Sequence, residues 1–102
     1  MRADLEIIQQ WIAPGSRVLD LGCGDGSFLA HLKKEKTISD CGLEIDADNI
    51  NLCLQAGVNV IEQDLNKGLS NFESGSFDTV LLAHTLQTVE RPDILVEEKL
   101  RI

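Results

Sequence analysis

Apolar residues along the chain switch between two periods. From Asp4 to Ile12, Leu5, Ile8, Trp11 and Ile12 recur at helical spacing, and Pro14-Gly15 stop that helix. "SRVLDL" (16–21) then reads as a buried strand. Beyond a run of glycines, "SFLAHLKKEK" (27–36) returns to helical spacing with Phe28, Leu29 and Leu32 inward. Its lysines gather near the C-terminal end, where the helix dipole favours positive charge. "ISDCGLEI" (38–45) predicts a second strand, and "DADNINLCLQAG" (46–57) a helix with Asp46 or Asp48 as cap and Gly57 as stop. "VNVIEQ" (58–63) is a third strand, "LNKGLSNFESGS" (65–76) a polar, turn-rich loop, and "FDTVLLA" (77–83) a fourth strand. Pro92 sits where a last helix begins, and "DILVEEKL" (93–100) continues it.

The predicted order is a helix, then βαβαβ, then a strand and a closing helix. Alternation of this kind implies an α/β fold, a Rossmann-like parallel sheet with helices on both faces. With 102 residues and no internal repeat, low-complexity segment or linker, the chain reads as part of a single domain spanning 1–102.

Composition narrows the function classes. With 43% hydrophobic and 25% charged residues, the chain has the make-up of a soluble globular protein rather than a disordered one. A net charge of −8 argues against nucleic acid as a partner, because phosphate contacts need clustered Lys and Arg. The start, "MRADLEIIQQ", lacks a signal-peptide core, and no apolar run is long enough to span a bilayer. Three scattered cysteines (Cys23, Cys41 and Cys53) form no CxxC pair, so neither a metal site nor a disulfide framework is expected, and a cytoplasmic location fits.

The chemistry concentrates in "VLDLGCGDG" (18–26), a strand that runs into three alternating glycines. A strand, a glycine-rich turn and a helix N-terminus together aim backbone N–H groups at a ligand lying at the carboxyl ends of the strands. Dinucleotide sites prefer G-x-G-x-x-G. Here the spacing is Gly22-x-Gly24-x-Gly26, preceded by Asp20, and an acid at the mouth of the loop suits an ammonium group better than a pyrophosphate. "GLEID" ends the second strand with Glu44, whose two carboxylate oxygens can accept in parallel, while Asp46 suits a helix cap. "IEQDL" ends the third strand with Asp64, where an Asp is also a common turn former. His84 lies just past the fourth strand. No acid/base pair, nucleophile–His set or metal cluster stands out, so no catalytic residue is assigned.

The Asp20-x-Gly22-x-Gly24-x-Gly26 stretch resembles motif I of the class I S-adenosylmethionine-dependent methyltransferases. The resemblance implies S-adenosyl-L-methionine as cofactor, its methionine part backed by Gly22, Cys23, Gly24 and Gly26, with Asp20 near the amino group. It further places Glu44 at the ribose hydroxyls with Ile45 beside it, Asp64 at the adenine amino group with Leu65 beside the ring, and Ala83 at the end of the fourth strand, facing the transferred methyl. Asp78 is expected to be structural.

"MRADLEIIQQWI", "PGSRVLDLGCGDG", "GLEID", "GVNVIEQDL" and "FDTV", in this order, are similar to the MetW family of bacterial methionine biosynthesis proteins over nearly the whole chain. That family implies a role in methionine synthesis beside homoserine O-acetyltransferase. The methyltransferase fold orders its strands 3-2-1-4-5-7-6, and by this resemblance the chain is expected to supply 3-2-1-4, truncated before strand 5. The chain is thus expected to hold the cofactor-binding part of the domain and little of the pocket for an unknown small-molecule substrate. Two functions stay open: a methyltransferase, or a non-catalytic partner or regulatory protein, the latter including an inactive fragment. An open edge on the fourth strand carries the further expectation of self-association.

Overall fold

The computed structural model describes residues 3–81, with side chains from residue 6. Helix α1 (Ala3–Gln10) leads into β1 (Arg17–Leu21), α2 (Ser27–Lys36), β2 (Ser39–Glu44), α3 (Ala47–Gln55), β3 (Val60–Glu62), a short 3₁₀ turn (Leu65–Lys67) and β4 (Thr79–Leu81). The four strands are parallel, in the order β3-β2-β1-β4. This is the α/β class expected from the alternating pattern, with the strand order that the methyltransferase resemblance implies. The closing helix, Ala83 and His84 lie outside the described residues.

Alternation along β1 divides the core in two. Val18 faces a cluster with Ile12, Phe28, Leu29, Leu32, Cys53 and Val58, to which Ile8 of α1 adds its side chain. All three described helices therefore pack on this face. Leu19 and Leu21 face the other way, where Leu43 and Leu69 join them and Leu65, Phe72 and Phe77 pack around them. Among the described residues, where the pattern predicts helices on both faces, the apolar cover of the second face comes instead from the segment read as a polar loop. Phe72 and Phe77 meet edge to face there, with ring centroids 5.7 Å apart.

Helix α1 stops at Gln10, two residues earlier than its spacing suggests. The backbone then tightens, Trp11 N–H donating to Ile8 O and Ile12 N–H to Gln9 O. Lys36 Nζ closes this end by donating to Gln9 O (2.6 Å) and Ile12 O (2.8 Å). The tighter winding buries Ile12 and turns Trp11 outward, 79% exposed. At the opposite edge, Arg17 holds Asp78 through its backbone N–H (2.8 Å) and its guanidinium, joining β1 to the residue before β4. Asp78 is structural, as expected. Asp40, buried in β2, accepts from Asn59 N–H at 2.8 Å and faces Lys33 of α2 at 3.4 Å. These pairings fix the strands whose carboxyl ends carry the site. Among the described residues, no helix is long and apolar enough to cross a membrane.

Candidate functional site

The loop from Gly22 to Gly26 is moored on the end of β2. Gly22 N–H and Cys23 N–H both donate to Leu43 O, at 2.8 and 3.0 Å. The three glycines alternate in the left-handed region, at φ 82°, 60° and 81°. Two of them serve different ends. A Cβ on Gly24 would meet nothing within 4 Å, so its φ of 60° holds a backbone edge open to solvent. A Cβ on Gly26 would lie 2.9 Å from Cys53 Sγ and 3.2 Å from Cys53 Cα, so there the missing side chain lets α3 close on the loop. Helix α2 starts from Gly26, and Asp25 supplies its missing cap by accepting from Ser27 N–H at 2.9 Å. That bond holds the Asp25 carboxyl below its ordinary range.

Glu44, the last residue of β2, reaches back into the loop. Its Oε1 accepts from Gly24 N–H at 2.9 Å, and its Oε2 accepts from Asp46 N–H at 3.1 Å. Asp46 in turn caps α3 by accepting from Asp48 N–H and Asn49 N–H, which decides the choice of cap that the sequence left open. Glu44 is thereby held rigid at the mouth of the loop, with lone pairs beyond the two bonds it makes.

Asp20 is the unusual group. It is 4% exposed and pairs in register with Gly42 on one side and Leu81 on the other. Gly42 has no side chain to offer, because Cys23 Sγ fills the space where a Cβ would be, 2.5 Å from that position. Among the described residues, no group donates a hydrogen bond to the Asp20 carboxylate. Burial, and then the nearby charge of Glu44, push its pKa up to about 7. A native fold rarely keeps an unpaired buried acid without a use for it.

The thiols meet behind the loop. Cys23 and Cys53 are buried with their sulfurs 3.5 Å apart, and Cys53 S–H donates to Gly24 O at 3.2 Å. Burial pushes both thiols up, and the carboxylates of Asp20 and Glu44 add to it. Neither thiol is set up as a nucleophile.

Of the residues singled out in the sequence, the structure gathers Asp20, Gly22, Cys23, Gly24, Gly26 and Glu44 at the carboxyl ends of β1 and β2. Ile45 follows Glu44 and is 59% exposed. Asp64 lies past the end of β3 and caps the 3₁₀ turn by accepting from Asn66 N–H at 2.9 Å, with Leu65 packed on the sheet. The turn-forming role of Asp64 is thus fulfilled. Sequence reasoning missed Cys53, which reads as one more small apolar residue of a helix. It also missed Gly42, whose bareness makes room for Cys23.

A family model described as methionine biosynthesis protein MetW matches residues 2–102. The chain belongs to the MetW family. The bifunctional methionine biosynthesis protein MetXA/MetW of Rhodopirellula baltica is 38% identical over 110 residues, covering all of this chain and 18% of that protein. A fatty-acid O-methyltransferase of Mycolicibacterium smegmatis is 32% identical over 95 residues, covering 86% of this chain and 33% of that one. Among solved structures, a SAM-dependent methyltransferase from Archaeoglobus fulgidus superposes with a TM-score of 0.84 at 31% identity, over 97% of this chain and 45% of its own. The MetW-family chain described here thus spans about a fifth to under half of these relatives, and it shares the class I methyltransferase fold.

Proposed function

We propose that this MetW-family chain binds S-adenosylmethionine at the carboxyl ends of β1 to β3 and forms the cofactor half of a methyltransferase acting in methionine biosynthesis. The observation that carries the reading is Asp20: a buried acid without a donor among the described residues, beside an open glycine loop. A ligand that brings an ammonium group satisfies it, and a pyrophosphate opposes it. Gly24 has the free space that close approach of a ligand to the backbone requires. Glu44, already fixed by Gly24 and Asp46, is placed to accept from a pair of vicinal hydroxyls, as a ribose presents. Cys23 and Gly22 wall the loop, Ile45 and Leu65 offer apolar surface next to Glu44 and Asp64, and Asp64 keeps acceptor capacity for an amino group.

When bound, the cofactor supplies an electrophilic methyl on a sulfonium whose departure leaves a neutral thioether. The protein's part is to bind, to orient and to exclude water. The described residues do the first.

A homoserine O-acetyltransferase partner is the family expectation. The Rhodopirellula protein, which joins MetXA and MetW in its name and matches the whole of this chain, supports it. A binding or regulatory role on that partner, without methyl transfer, is the second reading, and the same fusion favours it. Isothermal calorimetry with S-adenosylmethionine, S-adenosylhomocysteine and NAD tests the ligand. The two sulfur compounds are expected to bind more tightly than NAD, and the reverse order overturns the proposal. Methyl-transfer assays with and without an added acetyltransferase then separate the two roles.

A further inference from the structure

Cys53 stands on α3, outside every segment that the glycine loop itself contributes, yet it bonds to the loop's central peptide. Its S–H donates to Gly24 O at 3.2 Å. The sulfurs of Cys23 and Cys53 lie 3.5 Å apart, so the two thiols also contact each other. Cys23 also approaches Gly24 O, but only at 3.9 Å. On the other side of the same residue, Gly24 N–H donates to Glu44 Oε1 at 2.9 Å. Gly24 is thus held at both its N–H and its C=O, by one side chain from β2 and one from α3. Glycine at φ 60° with open space around it has no steric wall to fix its orientation, so the two bonds do so.

We infer that Cys53 is a positioning residue for the ligand loop: its thiol, bonded to the Gly24 carbonyl opposite the Glu44–Gly24 bond, sets the orientation of the backbone against which the ligand lies. The packing around it fits this role. Gly26 is bare where Cys53 Sγ and Cα approach, which lets the thiol reach past it to Gly24. The inference rests on the proposed cofactor reading for its ligand, but the loop's order can be read without any ligand.

The test compares Cys53→Ala, which removes the donor, with Cys53→Ser, which keeps an O–H donor in the same place. A residue that only filled volume would give similar results for both, or a worse one for the buried hydroxyl. Two measurements are made on the full chain. The first is amide hydrogen exchange without ligand. Exchange at Gly24 and Asp25 is expected to rise at least about threefold in Cys53→Ala and to return toward wild type in Cys53→Ser, with the β1–β2 amides unchanged. The second is affinity for S-adenosylhomocysteine, expected to fall about threefold to tenfold in Cys53→Ala, the weight of one hydrogen bond, and to be rescued in Cys53→Ser. Equal exchange in the two variants overturns the inference, as does wild-type affinity in Cys53→Ala. If the wild type itself does not bind S-adenosylhomocysteine, the cofactor reading falls. The exchange contrast then still decides whether Cys53 orders the loop.

Discussion

Replacing Asp20 by Asn is expected to stabilise the ligand-free protein while destroying its binding site. The substitution keeps shape and removes charge. In the native chain this carboxyl is 4% exposed and its pKa is raised to about 7, by burial first and by Glu44 second. Its ordinary value is 3.8. Each pKa unit corresponds to about 1.4 kcal/mol, so keeping the group ionised in the fold costs on the order of 4 kcal/mol above neutral pH. An Asn in the same place leaves an amide short of partners, at about 1–3 kcal/mol. The variant should therefore gain on the order of 1–3 kcal/mol at pH 8.

The sign follows from proton binding. Between pH 4 and 7 the fold holds a proton on Asp20 that the unfolded chain has lost, so native stability is greatest below the unfolded value and falls as pH rises through about 7. The gap between variant and wild type should widen over that window and level off above it. Urea unfolding followed by circular dichroism at pH 5, 6, 7 and 8 measures the gap directly. A gap that does not change with pH, or a variant less stable than wild type at pH 8, would show that Asp20 is paired in solution and refute the reasoning.

Three further expectations separate binding from packing. Gly24→Val should leave a folded protein, weakened by about 1–2 kcal/mol from the left-handed backbone, with ligand binding abolished in calorimetry. Gly26→Ala should lose more stability in urea than Gly24→Ala, because its Cβ meets Cys53 Sγ at 2.9 Å while Gly24 has open space, and equal losses would contradict that geometry. Glu44→Ala removes the acceptor for Gly24 N–H and, in the proposed reading, for the ribose; affinity for S-adenosylhomocysteine should fall by about 1.5–3 kcal/mol, and a change under about half a kilocalorie would place the ribose elsewhere.

The elements with strong periods could be read from sequence almost to the residue. Helix α2 spans the stretch expected, Phe28, Leu29 and Leu32 are inward, and the four strands are parallel as the alternation predicts, in the order that the family resemblance implies. What misled was the turn-rich segment after β3 and the end of α1. Leu65, Leu69 and Phe72 stand at i, i+4 and i+7, but the Gly, Asn and Ser between and after them read as turns, and that these side chains cover Leu19, Leu21 and Leu43 shows only in the folded sheet. Trp11 fitted a helical stripe that the chain leaves before reaching it. In the site, Asp20, Glu44 and the glycines announce themselves by residue type and spacing. Cys53 and Gly42 do not, since each acts through a contact made across 29 or 19 positions of sequence. The same limit applies to the pKa of Asp20, which depends on its burial in the sheet and on the nearby charge of Glu44.

The most direct test of the central claim, that Asp20 waits for a cationic group, is the count of protons released on binding S-adenosylhomocysteine. Calorimetric titrations at pH 6 in buffers of different ionisation enthalpy give that count. At this pH Asp20 is mostly protonated in the ligand-free fold, and an ammonium placed beside it favours the ionised form. Wild type should therefore release close to one proton at pH 6 and almost none at pH 8.5, and Asp20→Asn should release none at either. Tight binding with no proton release at pH 6, or binding undiminished in Asp20→Asn, would contradict it.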